Sequence, residues 1–443
     1  MTGRPRPSTI STKQERIAQL AQQMPETALT SLSHHIDLDW LQEAYRLTPK
    51  DKAPGVDGQT ARDYEKDLQR NLLDLLDRAK SGRYFAPPVL RVHILKGSGT
   101  ETRPIGMPTL EDKVLQRAVV MALEPIYEHD FVDDSYGFRP GRSAHQALEA
   151  IWKTTMSMGG AWIVELDIRK FFDELDRATL RELLHKRVRD GVILRLIGKW
   201  LNAGVMEDGV FQRTDRGTPQ GGVISPLLAN LYLHEALDSW FETDVRPRMR
   251  GRARLIRYAD DAVLMFEHEA DARRVLEVLP KRFERFGLRL HPEKTRLVAF
   301  HPSRQQRDDD EPPTHFDFLG FRHFWSRSRR NQPVVKRKTM SSRFSRAVRS
   351  IRDYCRWHRH EPLATQLAGL SQRLRGHYQY YGIPGNARAL ARFFEQVRRV
   401  WRYWLNRRSQ QRHMPWKRFV LLLRHYCLPP PLLAPAYRRV AKP

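Results

Sequence analysis

Residues 257–266 read RYADDAVLMF, in which two adjacent carboxylates, Asp260 and Asp261, interrupt an apolar run. The apolar residues on both sides predict a β-hairpin with the acids at its tip. Neighbouring carboxylates repel each other unless a cation binds there, and hard oxygen ligands suit Mg²⁺. The pair therefore predicts a metal site, and a solvated Asp-Asp turn is the alternative for this segment taken alone.

A third aspartate, Asp167, directly follows the apolar run WIVEL at 162–166, which predicts a buried strand. A carboxylate at the end of such a strand can meet the hairpin acids from a neighbouring strand. Three acids would then hold two Mg²⁺ ions ~3.5–4 Å apart, which activates a 3′-hydroxyl and stabilises a leaving pyrophosphate. The alternative is that Asp167 only caps a helix beginning near Phe171.

A glycine-rich segment, RGTPQGGVISPLLANLYL at 216–233, lies between these two sites. Glycines allow the backbone to approach a ligand closely, and the residues from Pro226 predict a helix with Ser225 as its cap. Together the three segments resemble the group II intron reverse transcriptases, whose motifs the chain matches in order from about Asp51 to its C-terminus. The resemblance implies an RNA-directed DNA polymerase.

The implied fold is α+β: a right-hand polymerase with fingers, a palm of antiparallel sheet and helices, and a helical thumb that is also the maturase domain. Residues 53–58 (APGVDG) resemble the first fingers motif, and 135–143 (SYGFRPGRS) a second one that helps to grip template RNA. We predict the following parts: 1–50, an N-terminal extension; 51–160, fingers; 161–324, palm with some fingers elements; 325–405, thumb and maturase domain X; 406–443, a basic DNA-binding segment.

The resemblance also implies the chemistry-bearing residues of the palm. Three acids fall on the family's catalytic aspartates, namely Asp167, Asp260 and Asp261. The implied ligands of the two Mg²⁺ ions are Asp167, Ile168, Asp260 and Asp261. Residues 287–295 (GLRLHPEKT) resemble a motif whose lysine can protonate the departing pyrophosphate, so Lys294 is a candidate general acid. A pairing with Glu293 or a solvated surface role is the alternative for Lys294.

Four residues are implied to contact the incoming deoxynucleoside triphosphate: Lys96, Arg103, Phe172 and Gln220. Fixed cations would stabilise the charge that accumulates on the leaving phosphates. An aromatic ring five residues past a metal-binding aspartate can reach the sugar, so Phe172 would exclude a 2′-hydroxyl and select deoxynucleotides. The alternatives are ordinary surface cations and a core phenylalanine. Leu95 stands where the family usually has proline.

The net charge of +26 lies in one segment of the chain. Residues 321–443 contain 29 lysines and arginines and three acidic residues, so residues 1–320 are formally neutral. Such an imbalance attracts polyanions, and phosphate neutralisation dominates nucleic-acid affinity. Residues 390–405 predict an arginine-rich helix whose apolar face consists of Leu390, Phe394, Val397, Trp401 and Trp404.

Two parts of this tail carry the resemblance further. Residues 374–382 (LRGHYQYYG) resemble the start of the maturase region, with His377 where the family usually has tryptophan. Residues 407–409 and 416–419 resemble the short DNA-binding segment. Arginines interleaved with aromatic residues suit phosphate contact and base stacking. The candidate nucleic-acid contacts of the whole chain are Arg139, Arg142, Arg375, Arg398, Arg402, Arg407, Arg408, Lys417 and Arg418.

The two cysteines, Cys355 and Cys427, are too few for a disulfide framework, and no window approaches the roughly 18 apolar residues of a membrane span. We therefore expect a cytoplasmic protein. Because the sequence reaches Pro443 without paired cysteines, we also expect no zinc-supported nuclease domain.

The predicted function is extension of a DNA primer on an RNA template from dNTPs, with a maturase role in the splicing of intron RNA. One alternative is a reverse transcriptase adopted for defence or repair, which these residues do not distinguish from an intron protein. Another is a non-catalytic RNA-binding splicing factor. The three retained acids argue against that factor, because a pure binder has no use for repulsive acids beside a nucleic-acid groove.

Overall fold

The computed structural model describes residues 7–95, 102–213, 217, 221–302, 314–409 and 413–434, which form a mixed helix and sheet fold. Its helices are α1 (Pro7–Gln23), α2 (Leu38–Leu47), α3 (Ala61–Glu65), α4 (Leu68–Ser81), α5 (Leu110–Asp130), α6 (Ala144–Met158), α7 (Phe171–Glu174), α8 (Arg177–Arg187), α9 (Gly191–Leu201), α10 (Ser225–Leu233), α11 (Glu269–Glu284), α12 (Ser341–Trp357), α13 (Leu363–Tyr381), α14 (Ala387–Leu405) and α15 (Trp416–His425). Its strands are β1 (Val89–Leu95), β2 (Thr102–Met107), β3 (Ala161–Leu166), β4 (Val205–Glu207), β5 (Val210–Gln212), β6 (Ala253–Tyr258), β7 (Asp261–Phe266), β8 (Arg296–Phe300), β9 (His315–Phe318), β10 (Phe321–Arg327) and β11 (Pro333–Thr339). In the described ranges, no helix has the length and apolarity that a membrane crossing needs.

The chain divides into two compact units. The first contains Met1–Ala147 and Leu166–Leu297, and the second contains Leu148–Glu165 and Val298–Pro443. The predicted catalytic aspartates belong to the first unit and the basic tail belongs to the second.

Helix α5 runs through the core of the first unit, and its central residues 114–123 are buried apart from Arg117, which is partly buried. The Gln14 amide of α1 donates to the Met121 carbonyl at 3.0 Å, and the Trp40 indole of α2 donates to the Ala118 carbonyl at 2.9 Å. Helices α1 and α2, which lie in the predicted N-terminal extension, therefore contribute to the core of this unit.

One four-stranded sheet has the order β2-β1-β4-β5. Strand β1 is antiparallel to β2 and pairs in parallel with β4. Strands β4 and β5 form a hairpin whose turn residues, Asp208 and Gly209, have φ of 50° and 80°. Positive φ at both positions matches the twist of a two-residue hairpin. Strand β5 is an edge strand, and all three of its residues are exposed.

A second four-stranded sheet has the order β6-β7-β3-β8. Strands β6 and β7 form the predicted hairpin, in which Tyr258 lies opposite Asp261. Every residue of β7 after Asp261 is buried. The near-continuous apolar run of this strand is typical of one that is covered on both faces.

The second unit contains a three-stranded antiparallel sheet in the order β11-β10-β9. The segment FLGF at 318–321 forms a tight hairpin between β9 and β10. Its turn residues, Leu319 and Gly320, have φ of 49° and 79°.

Helices α12 to α15 of the second unit share one apolar core. Helix α14 contributes Leu390, Phe393, Val397, Trp401 and Leu405 to it, whereas Phe394 and Trp404 are only partly buried. The two predicted residues still pack against this core from its edge, and Phe393, which was not predicted, is buried in it. The His377 ring of α13 stacks on Phe393 with centroids 3.9 Å apart.

Helix α15 packs into that same core through Phe419, which is fully buried. Leu428, beyond the helix, is buried there as well. The predicted boundary between residues 405 and 406 is therefore not a packing boundary, and the segment after α14 is part of the helical core.

We predict that Phe393→Ala destabilises the protein much more than Phe394→Ala. Phe393 is 1% exposed, so its truncation opens a cavity and removes the ring stack, at a cost of about 3–5 kcal/mol. Phe394 already has solvent on one side, so its truncation should cost about 1–2 kcal/mol. Thermal unfolding followed by circular dichroism measures both effects. Equal falls in melting temperature would contradict this core register.

Candidate active site

The tip of the β6–β7 hairpin carries two acids on a strained turn. Ala259 has φ of 55°, in the left-handed region, which costs a residue with a Cβ about 1–2 kcal/mol. Asp260 follows it in the turn and is half-buried, and Asp261 begins β7 and is exposed. Both carboxylates therefore lie at the surface end of a buried hairpin.

A buried arginine, Arg257, holds this turn. Its guanidinium donates to the Ala259 carbonyl at 3.0 Å and to the Asn230 amide oxygen at 2.9 Å. Its remaining donors bind both carboxylate oxygens of Asp238, with Nε 2.7 Å from Oδ1. Arg257 is 1% exposed and Asp238 is fully buried, so each charge depends on the other for compensation. Asn230 in turn donates to the Gly137 carbonyl at 2.7 Å.

The motif SYGFRPGRS lies against the same turn. The Tyr136 peptide N–H donates to the Arg257 carbonyl at 2.9 Å. A Cβ on Gly137 would stand 2.3 Å from the Ala259 nitrogen, well inside contact distance. Glycine is required at 137 because the hairpin turn occupies the space of a side chain. This part of the motif therefore positions the acids.

Asp167 follows β3 and pairs with the segment 289–295. The His291 peptide N–H donates to the Asp167 carbonyl at 2.8 Å. Lys294 Nζ lies 3.3 Å from Asp167 Oδ2, with the two side chains 58% and 36% exposed. Solvent screens such a pair, so it contributes at most about 1 kcal/mol to stability. The predicted general acid thus stands beside a predicted metal ligand.

The Ile168 carbonyl lies on the opposite side of the backbone from the Asp167 carbonyl. Ile168 forms an antiparallel bridge with Leu290, and successive carbonyls of an extended chain point to opposite sides. The Asp167 carbonyl accepts a hydrogen bond from the 289–295 segment. The Ile168 carbonyl therefore points away from that segment.

Helix α10 contacts both acid-bearing segments. Its Asn230 binds Arg257 under the hairpin, and its Tyr232 ring packs edge-on against Phe171, four residues after Asp167, with centroids 6.3 Å apart. Helix α10 therefore connects the hairpin that carries Asp260 and Asp261 with the segment that follows Asp167. Within the described part of the chain, no group of three His, Cys, Asp or Glu side chains is placed to hold a metal ion.

The glycine-rich segment packs where a side chain would not fit. A Cβ on Gly217 would stand 2.5 Å from the Phe172 carbonyl oxygen, and one on Gly221 would stand 2.1 Å from the Gly106 carbonyl oxygen of β2. Both glycines also have positive φ, 79° and 110°. Phe172 is half-buried, with its ring edge-on to Phe171 at 5.2 Å. Glycine is therefore needed at 217 and 221 because the backbone of another segment lies where a side chain would be.

Helix α10 begins one residue earlier than predicted. Ser225 is its first residue, and Ile224 occupies the cap position without a side-chain hydrogen bond. The peptide N–H groups of Val223 and Ile224 donate to the Gln116 amide oxygen at 2.8 and 3.3 Å. Gln116 is 4% exposed and comes from α5, so a distant side chain replaces the local cap.

Most of the other predicted nucleotide-binding residues lie outside the part of the chain that the structure describes. Lys96 and Gln220 lie outside the described residues. For Arg103 the structure gives the backbone, which lies opposite Ile94 in the β1–β2 ladder.

Arg139 requires a correction to the predicted nucleic-acid contacts. Its side chain is 3% exposed and forms an ion pair with Glu128 at 3.1 Å. It also donates to the Val132 and Ser135 carbonyls at 2.6 and 2.7 Å. An enclosed guanidinium is not accessible to a template strand, so Arg139 supports the loop. Arg142 is 29% exposed and pairs with Asp133 at 2.6 Å.

The predicted contacts of the basic tail divide into two sets. Arg402 donates to the Met414 carbonyl at 3.0 Å, and Arg408 donates to the carbonyls of Arg359 and Glu361, so both tie segments of the unit together. Arg398 is half-buried and pairs with Glu395 at 2.6 Å. The exposed members are Arg375, Arg407, Lys417 and Arg418.

Three residues that organise the site carried no recognisable pattern in the sequence: Asn230, Asp238 and Gln116. Asp238 is an acid within a helical stretch, where acids are usually solvated. His234 lies 3.8 Å from it, and burial lowers the pKa of this histidine, so a neutral ring leaves Arg257 as the counter-ion. A buried acid such as Asp238 can be recognised only when the counter-ion that it pairs with in the fold is known.

Comparison with known proteins places this geometry in a family. The model of the family described as reverse transcriptase (RNA-dependent DNA polymerase) matches residues 94–323. The chain is 34% identical over 360 residues to Protein YkfC of Escherichia coli, which covers 72% of this chain and 90% of that protein. It is 39% identical over 226 residues to the group II intron-encoded protein LtrA of Lactococcus lactis subsp. cremoris, which covers 50% of this chain and 37% of LtrA. It is 30% identical over 192 residues to Nuclear intron maturase 2, mitochondrial, of Arabidopsis thaliana, which covers 34% of this chain and 25% of that protein.

We predict that Gly137→Ala lowers stability by about 1–3 kcal/mol, because the added methyl group collides with the hairpin turn. Gly198→Ala is the matched control in the same unit. Gly198 lies inside α9 with nothing within 4 Å of an added Cβ, so alanine there should stabilise by about 0.5–1 kcal/mol. Urea unfolding of both variants measures the difference. A Gly137→Ala protein as stable as wild type would refute the close approach.

Proposed function

The chain belongs to the reverse transcriptase (RNA-dependent DNA polymerase) family, in its group II intron type, and we propose that Asp167, Asp260 and Asp261 form its polymerase centre. The observation that carries this proposal is that one helix, α10, packs against both the acid-bearing hairpin and the segment after Asp167, within the part of the chain that the family model matches. In the right-hand description, the sheet β6-β7-β3-β8 is the palm and the sheet β2-β1-β4-β5 belongs to the fingers. Helices α12 to α15 are the thumb and maturase region.

The donors at this centre fit Mg²⁺. Asp167, Asp260 and Asp261 are all at least partly exposed, and the Ile168 carbonyl points away from the 289–295 segment, so together they offer a set of hard oxygen ligands. Two Mg²⁺ ions bound by these residues would lower the pKa of the primer 3′-hydroxyl and stabilise the charge of the leaving pyrophosphate. Until such ions bind, Lys294 offsets the charge of Asp167.

Lys294 has a second role in this proposal. Its ammonium group lies 3.3 Å from Asp167, at the centre where a departing pyrophosphate needs a proton. A positioned donor of this kind contributes roughly 10²–10⁴-fold to rate. Lys294 is mostly exposed and is free to move from the carboxylate toward a phosphate oxygen.

Phe172 selects the sugar of the incoming nucleotide. Its backbone is fixed because Gly217 packs on its carbonyl oxygen, and its ring rests against Phe171. A ring held in this way cannot withdraw to admit a 2′-hydroxyl. Lys96, Arg103 and Gln220 complete the proposed nucleotide site on the strength of the sequence resemblance.

The basic tail binds the nucleic acids on which the enzyme works. Its exposed cations, Arg375, Arg407, Lys417 and Arg418, are available for phosphate contact, and Arg407 lies over the Tyr403 ring at 4.0 Å. We assign intron RNA to the maturase region, which gives the protein a role in splicing and mobility. The primer or target DNA is assigned to the segment around α15.

We predict that Asp260→Ala abolishes Mg²⁺-dependent extension of a DNA primer on an RNA template. Loss of a carboxylate from the centre removes a metal ligand, while its position at the surface end of the hairpin leaves the core unchanged. Incorporation of labelled dNTPs into the primer is the measurement. The matched control is Glu277→Ala, which removes an exposed carboxylate of α11 in the same unit. Full activity in Asp260→Ala would overturn the assignment.

We predict that the double variant Lys417→Ala/Arg418→Ala binds double-stranded DNA more weakly at low salt. The slope of log affinity against log salt should become shallower by about 2, one unit for each lost phosphate contact. Arg62→Ala/Arg70→Ala, which removes two exposed arginines of the first unit, is the control. An unchanged slope in the α15 variant would exclude α15 from the DNA interface.

A further inference from the structure

A cavity of about 500 Å³ lies in the first unit beside the edge of the sheet β2-β1-β4-β5. Phe85 and Phe211 line it together with Arg195, Lys199 and Arg213, and small residues such as Gly198 complete its walls. Its volume is in the range of sites for small organic ligands. None of the polymerase residues assigned above is among its described walls.

The two phenylalanines of this cavity are unusually exposed for large apolar side chains. Phe85 is 75% exposed and Phe211 is 54% exposed. The Phe211 ring packs over the Gly204 backbone, where an added Cβ would stand 2.6 Å from the ring. An exposed ring on a rigid support is a ready stacking surface.

The cations of the cavity are positioned without being neutralised. Lys199 Nζ donates to the Gly82 carbonyl at 2.7 Å, and Arg195 donates to the Lys80 carbonyl at 3.2 Å. A carbonyl partner fixes the direction of a cation and leaves its charge in place. The described lining contains no carboxylate, so the cavity attracts anions.

We propose that this cavity binds one nucleotide of a single-stranded RNA. The base stacks on Phe85 and Phe211, and the flanking phosphates contact Arg195, Lys199 and Arg213. Aromatic platforms beside cations are the means by which proteins hold single strands, because every base has a face to stack while bases in a duplex are already stacked. This proposal rests on one part of the proposed function, namely that the protein binds RNA. It does not require polymerase activity.

The test is binding of a fluorescent oligouridine RNA to the full chain, measured by anisotropy at about 0.5 M salt, where screening weakens the contribution of the basic tail. Phe85→Ala should weaken binding about 5- to 100-fold, since one stacked base is lost. Arg213→Ala should make the salt slope shallower by about 0.7. Leu73→Ala and Arg70→Ala remove an exposed apolar residue and an exposed arginine elsewhere in the unit and serve as controls.

If Phe85→Ala and Arg213→Ala bind RNA as the two controls do, the proposal is wrong. A second measurement uses RNA that contains 4-thiouridine, which should photocrosslink to a peptide with Phe85 or Phe211, and crosslinks confined to other peptides would overturn it. Competition by millimolar ATP would assign the cavity to free nucleotides and also overturn it. Asp260→Ala should bind the RNA like wild type, so failure here is distinct from failure of the polymerase assignment.

Discussion

The buried ion pair between Arg257 and Asp238 is the interaction on which the arrangement of the catalytic hairpin depends. Removing one partner of such a pair leaves a buried charge uncompensated, at a cost of about 3–5 kcal/mol. A guanidinium presents its donors in a rigid fork, so binding Asp238, Asn230 and the Ala259 carbonyl defines one geometry. That geometry keeps Ala259 at a positive φ and so places the acids that follow it.

The hairpin is fixed from two further directions. Gly137 lets the neighbouring loop lie directly on the turn, and Asn230 of α10 ties that loop to Arg257. The same helix reaches the segment after Asp167 through the contact between Tyr232 and Phe171. The contacts that hold the hairpin are made by its backbone and by buried side chains, whereas the carboxylates of Asp260 and Asp261 lie at the surface. An active site benefits from this combination, because ligands remain accessible while their backbone is held.

Net charge differs between the part of the chain that carries the catalytic acids and the basic tail. The first 320 residues are formally neutral, and the tail carries the excess of positive charge. Part of that excess is internal to the fold, since Arg402 and Arg408 bind carbonyl groups within the second unit. Counting arginines therefore overestimates the surface that is available to phosphates. Exposed cations such as Lys417 are the smaller set that sets the salt dependence of binding.

Local sequence pattern predicted the three acids, the strand and hairpin that carry them, and the excess of basic residues. Each of these features depends on residues that are adjacent in the chain: the spacing of apolar residues, the turn residues and the charges. The family comparison confirmed the reverse transcriptase assignment. Tertiary packing alone decided that Arg139 is enclosed, that Phe393 is fully buried while Phe394 is only partly buried, and that Gln116 replaces Ser225 at the start of α10. Each of these depends on a partner distant in the chain, and burial is a property of the pair of surfaces that meet. The sequence of one segment determines which side chains it presents, but not which distant segment packs against them.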